Sequence, residues 1–134
     1  MVKVYMYEDL IQDLGEQEAA ALKKDFQDYK DGKGLPDTFG RDVPYNFSHN
    51  RSVLELQHLH FKSDGFPLHV VQFRRTSGYV LVYCPGFFDK NTYLLIAIIK
   101  HWNHAKPKEI SGTDKDTDLM AGLEAIAERF RGRF

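Results

Sequence analysis

A chain of 134 residues, 43% hydrophobic and 28% charged, is the size of one ordinary domain and lacks the composition of a disordered segment. Its longest apolar run, residues 93–99, stops at Lys100, far short of the ~20 residues of a membrane helix, and the N-terminus lacks the apolar stretch of a secretory signal. The formal net charge of −1 speaks against strong unaided binding to nucleic acid, but the charge is polarised. Residues 1–67 carry 8 Lys and Arg against 12 Asp and Glu, whereas residues 68–134 carry 10 against 7. Between His69 and Lys108 the one acid is Asp89, so this part is a candidate anion-binding face. The single cysteine, Cys84, cannot form an internal disulfide; a buried thiol in a cytoplasmic protein is expected.

In chain order, Val2, Val4 and Met6 alternate with polar or aromatic neighbours and predict a short strand. Over residues 16–31, Ala19, Leu22, Phe26 and Tyr29 recur at helical spacing, and Gly32 and Gly34 supply stops. Residues 35–52, with Pro36, Gly40 and Pro44, read as an irregular connector. Four strand-like runs follow, at 53–61, 68–76, 79–84 and 91–100, joined by short turn-rich pieces that favour antiparallel neighbours. Asp116 or Thr117 caps a last helix built on Leu119, Leu123, Ile126 or Ala127, and Phe130, with Arg129, Arg131 and Arg133 at its end. The expected fold is one α+β domain, an antiparallel four-strand meander packed with an N-terminal helix and a C-terminal helix.

If residues 68–76 form a strand, Arg74 and Arg75 point to opposite faces, one at the open sheet surface and the other at its rim. Either guanidinium suits a phosphate or a solvated edge. His58 and His60 have the spacing that puts two imidazoles on one strand face, and His101 and His104 follow the last strand. His58 and His60 could begin a zinc site, but no carboxylate or cysteine completes a ligand signature, so neither metal nor cofactor is expected. One of this pair is expected to be partly buried and hydrogen-bonded, the other exposed. A second use of such residues is RNA cleavage by its own 2′-hydroxyl, which needs a base, an acid and cations for the phosphorane. Lys100, His101 and His104 hold those groups in one loop.

The segments "LPDTFGRD", "HLHF", "QFRRTS", "LVYCPGFFD", "LLIAIIKHWNH" and "AERFRGRF" resemble, in order from Leu35 to Phe134, the YafO family of ribosome-dependent mRNA interferases from type II toxin–antitoxin modules. The resemblance implies a RelE-like fold, an mRNA substrate met on the ribosome, and neutralisation by a YafN-type antitoxin. The run "RTSGYVLVY" is similar to a RelE-type run, with a departure: Val80 stands where that run has a catalytic-site arginine, and Val71 and Phe73 stand where the group has lysines. Lys100 and His101 resemble the Lys-Arg pair of that group, and His104, Arg75, His60 and Arg131 match the YafO pattern. The resemblance thus nominates His104, His101, Lys100, Arg75 and His60 for catalysis and Arg131 for RNA binding, and the basic face adds Arg74, Lys106 and Lys108 for RNA binding. A non-catalytic inhibitor that docks on the ribosome or on RNA through the same basic face is the alternative.

Overall fold

The computed structural model describes residues 1–46 and 48–134. Its elements are β1 (Lys3–Met6), α1 (Glu8–Leu14), α2 (Glu16–Lys30), β2 (Phe39–Pro44), α3 (His49–Val53), β3 (Gln57–Phe61), β4 (Tyr79–Pro85), β5 (Thr92–Lys100) and α4 (Thr117–Arg133). The strands form one five-stranded sheet in the order β1-β5-β4-β3-β2. β2 to β5 are an antiparallel meander, and β1 adds to its edge parallel to β5. The α+β class stands, with two corrections to the expected sheet.

The first correction concerns residues 68–76, which form no strand. After Pro67 the chain makes a turn and one 3-10 turn at Gln72–Arg74. Leu68, Val71 and Phe73, the apolar positions behind the strand reading, face solvent at 80%, 63% and 66% exposure. The second is that the fourth meander strand comes from the supposed connector. β2 sits at the sheet edge, where a terminal Pro44 removes no ladder donor that the sheet needs, and its register shifts between Phe39 and Asp42. At that shift Gly40 lies so close to the 68–76 loop that a Cβ would stand 2.2 Å from the Arg75 carbonyl oxygen. The Arg41 N–H donates to that same carbonyl at 2.9 Å, so the loop is held against β2 by backbone contact.

Alternation along the strands gives the sheet two covered faces. Leu59, Leu81, Tyr83 and Leu95 pack with Val4, Leu10, Leu22 and Phe26 beneath α1 and α2. On the other face Val80, Val82, Cys84, Leu94 and Ile96 meet Met120, Leu123, Ala127 and Phe130 of α4. Phe26 is fully buried among four aromatic rings, and its loss to Ala would cost about 3–5 kcal/mol. Helix α4 starts on the expected cap: the Asp116 carboxylate accepts the Leu119 N–H. Helix α1 escaped the periodicity reading because only Leu10 of its seven residues is buried. Gly15, at φ 86°, separates it from α2. Among the described residues no helix is long and apolar enough to cross a membrane.

Candidate active site

His58 and His60 alternate with Leu59 on β3, and they lie directly across from Val82 and Val80 of β4. Their side chains therefore share the sheet face that α4 covers elsewhere. Both are buried, at 6% and 3% exposure, which corrects the expectation that one of them would be exposed. Beyond Lys100 the chain leaves β5 and crosses this end of the face. The His101 N–H donates to the Gly78 carbonyl at 2.9 Å, and the Asp114 N–H donates to the Lys100 carbonyl at 3.1 Å, so the 101–116 loop is fastened at both ends.

The result is a cluster of three imidazoles. Ring centroids are 4.9 Å apart for His60 and His101, 5.9 Å for His58 and His101, and 6.1 Å for His58 and His60. Each ring is held from outside the cluster. Tyr45 stacks on His58 at 4.1 Å. Nδ1 of His60 faces the Ser77 backbone, with the N–H at 2.9 Å and the carbonyl at 3.2 Å. The Asp114 carboxylate, 2% exposed, stands 3.7 Å from Nε2 of His101 and accepts the Trp102 N–H at 2.8 Å and the Tyr45 hydroxyl at 3.2 Å.

Burial, with the His101 and His58 imidazoles as neighbours, pushes the His60 imidazole down to about 4. Burial likewise lowers His58 to about 4, against the opposing pull of Asp114. Both rings are therefore neutral near pH 7. His101 is different in kind: its side chain is 32% exposed and has a carboxylate beside it, the arrangement that orients an imidazole.

The cluster opens into a cleft of about 740 Å³ whose rim includes Arg41, Tyr79, Lys100, His104, Lys106 and Glu109. Arg41 is positioned by its Nε–H, which donates to the Phe73 carbonyl at 2.6 Å, and by packing of its guanidinium 4.2 Å from the Phe73 ring centre. His104 lies edge-on to Trp102 at 4.5 Å, and the Trp102 indole N–H donates to the Pro107 carbonyl at 3.3 Å. A cleft that pairs neutral and carboxylate-backed imidazoles with cations at its mouth can transfer protons next to an anion.

The family model described as toxin YafO, type II toxin-antitoxin system, matches residues 27–132. The chain belongs to the YafO toxin family. It is also similar to the mRNA interferase toxin YafO of Escherichia coli (strain K12), with 37% identity over 124 residues, covering 88% of this chain and 89% of the relative. No solved structure matches the chain significantly.

Of the residues nominated in this YafO-family chain, His60, Lys100, His101, His104 and Lys106 line the cleft, and Arg74, Arg75, Lys108 and Arg131 do not. Arg75 is turned inward: at 5% exposure its guanidinium donates to the carbonyls of Val70 at 2.8 Å and Phe39 at 3.2 Å, which ties the 68–76 loop to β2. Arg131 is buried on α4, where it donates to the Pro85 carbonyl at 2.9 Å and to Glu55 at 2.8 Å. Both guanidinium groups are engaged in holding chain segments together. Arg74 and Lys108 are exposed.

Sequence reasoning left out Arg41, His58 as a partner of His101, and Asp114. Arg41 lay in the supposed connector, and Asp114 was one of several acids in a polar run. No local signal separates Asp114 from Asp116 and Asp118; the fold alone buries it.

Proposed function

We propose that this YafO-family toxin is a metal-independent endoribonuclease that cleaves mRNA on the translating ribosome, and that the histidine cleft is its active site. The observation that carries the reading is the meeting of His60 and His101, with ring centres 4.9 Å apart, in an open cleft that Lys100 and Arg41 also line. In this reaction the 2′-hydroxyl oxygen attacks the adjacent phosphorus, its proton passes to His101, and the P–O5′ bond breaks. The products are a 2′,3′-cyclic phosphate and a free 5′-hydroxyl. Asp114 stabilises the imidazolium that forms on His101, as a buried carboxylate does behind a histidine base. His104 protonates the leaving 5′-oxygen.

Lys100 and Arg41 stabilise the charge that develops on the phosphorane, and neutral His60 donates a hydrogen bond to a phosphate oxygen. The RelE-type arginine position is Val80 here, a core residue paired directly with His60, so His60 serves from the neighbouring strand at the same level of the sheet. Lys106 contacts the RNA backbone next to the scissile bond, and Arg74 and Lys108 contact it further out. Arg75 and Arg131 act as positioning residues for the loop and for α4.

A net charge of −1 suits an enzyme whose substrate is delivered by the ribosome, because little of the binding then has to come from phosphate contacts alone. An antitoxin is the regulatory partner in this family. In this reading it is a YafN-type chain whose acidic segment folds over the cleft in the cytoplasm.

The test is primer extension on a translated mRNA in a purified translation system, with and without ribosomes, comparing the wild type with His101→Ala and Lys100→Ala. New 5′ ends that require ribosomes and disappear in both variants are expected. Intact mRNA while protein synthesis stops would replace this reading with that of a docking inhibitor.

A further inference from the structure

The same three imidazoles are the donor set of a metal centre. His58, His60 and His101 each offer one ring nitrogen, and these atoms lie within 4.8 Å of one another. Tetrahedral zinc with Zn–N distances of ~2.0–2.1 Å holds neighbouring donors about 3.4 Å apart. The cluster is thus within side-chain rotation of that spacing, and half-exposed His101 is the member with room to close it.

The surroundings are those of a supported site. Metal-bound imidazoles are oriented by outer partners on their second nitrogen or ring face. Here Asp114 stands by Nε2 of His101, the Ser77 backbone holds Nδ1 of His60, and Tyr45 stacks on His58. Nδ1 of His58 is fully buried and, among the described residues, makes no hydrogen bond of good geometry, the Val43 backbone being the polar group beside the ring. Such an atom carries a desolvation cost without return unless something binds it. An all-imidazole set selects zinc-like borderline cations over magnesium or calcium, which prefer oxygen.

We infer that His58, His60 and His101 form a binding site for one zinc ion, and that zinc there switches the toxin's RNA cleavage off. The second half rests on the function proposed above; the first does not. A coordinated imidazole has no free lone pair to accept the 2′-hydroxyl proton, and the ion occupies the place of the scissile phosphate. Zinc is therefore an inhibitor of this enzyme.

Two measurements decide the matter. Metal-free protein is first titrated with zinc against a chromophoric chelator, and with cobalt while the visible d–d bands are followed. One zinc per chain, a tetrahedral cobalt spectrum and about 100-fold weaker binding by His101→Ala are expected, with His69→Ala unchanged as the control. His60 is buried, so His60→Ala serves only if its melting curve shows it folded; the His101→Ala result, at a half-exposed position, and the wild-type cobalt spectrum do not depend on it. Substoichiometric zinc, or a His101→Ala protein that binds as the wild type does, overturns the site.

The second measurement is ribosomal cleavage by zinc-loaded and metal-free protein, with a zinc-selective chelator that spares magnesium. Cleavage by the metal-free protein that is lost on loading and regained with chelator is expected. Cleavage that survives stoichiometric loading overturns the inhibitory role alone. A protein that cleaves in neither state overturns the proposed ribonuclease function and leaves the binding result standing.

Discussion

Two polar clusters, one half-buried and one largely buried, lie back to back on the same stretch of sheet, and they differ in how completely their groups are paired. On the α2 face, Asp42 accepts the hydroxyls of Tyr29 and Tyr83, both at 2.7 Å, and the Lys30 ammonium stands 3.6 Å away. Lys30 also donates to the Tyr83 oxygen at 3.0 Å, and Gln72 donates to Tyr29 at 2.9 Å. Burial and the Asp42 carboxylate raise the Tyr83 hydroxyl well above its ordinary range, so it stays a donor. On the opposite face the histidine cluster is supported from behind but contains a buried nitrogen that makes no hydrogen bond among the described residues, and it opens to a cleft of about 740 Å³ against about 290 Å³ beside Asp42. A network whose groups are mutually paired holds a fold together; one with capacity left over can meet a substrate.

The comparison is sharpest when each cluster is cut. His101→Ala should lower the cleavage rate by about 10²–10⁴-fold, the range for loss of a general base, with the melting temperature unchanged. Asp42→Ala should do the reverse. It strands two tyrosine hydroxyls and an ammonium, costs about 3 kcal/mol in denaturant unfolding, and leaves cleavage per folded molecule intact. If Asp42→Ala abolished cleavage in a folded protein, the division between the faces would fail.

Acid should also act through one face. His58 and His60 titrate near 4 when folded and near 6.5 when unfolded, so between those values the unfolded chain binds more protons. Stability of the metal-free protein should then fall as pH drops below about 6.5, by up to about 2 kcal/mol per histidine at pH 5. A flat stability profile between pH 7 and 5 would contradict it. Gly40→Ala should cost about 2 kcal/mol by pushing the Arg75 backbone away from β2, and should disturb Arg41 at the cleft with it. Arg74→Ala is the smallest change: stability within about 0.5 kcal/mol, and a cleavage rate reduced only a few-fold.

Much of the fold was legible because its patterns are local. The 3.6-residue stripe of α2, the Asp116 cap of α4 and the β-branched runs of β4 and β5 each show within a dozen residues. The failures have one physical source. Residues 68–76 have the composition of a strand, yet β4 pairs directly with the edge of β3 that they would have taken, β2 covers the other edge, and Leu68, Val71 and Phe73 are left in solvent. Competition for an edge cannot be read from either segment alone. Arg75 shows the same limit: its local pattern does not reveal that its guanidinium meets the Val70 and Phe39 carbonyls in the fold.

The amino-acid sequence by itself determined the α+β class, the family, and the chemistry on offer: histidines beside basic residues after the last strand. Tertiary structure alone decided which of them meet. His58 and His60 lie some forty residues before His101, and Asp114 comes from a loop beyond it. They converge because β3 and β5 flank β4 in the sheet and the 101–116 loop is stapled across its end. Side-chain identity is a property of the chain, but burial, pairing and leftover hydrogen-bonding capacity are properties of neighbours, and only the packed sheet supplies those.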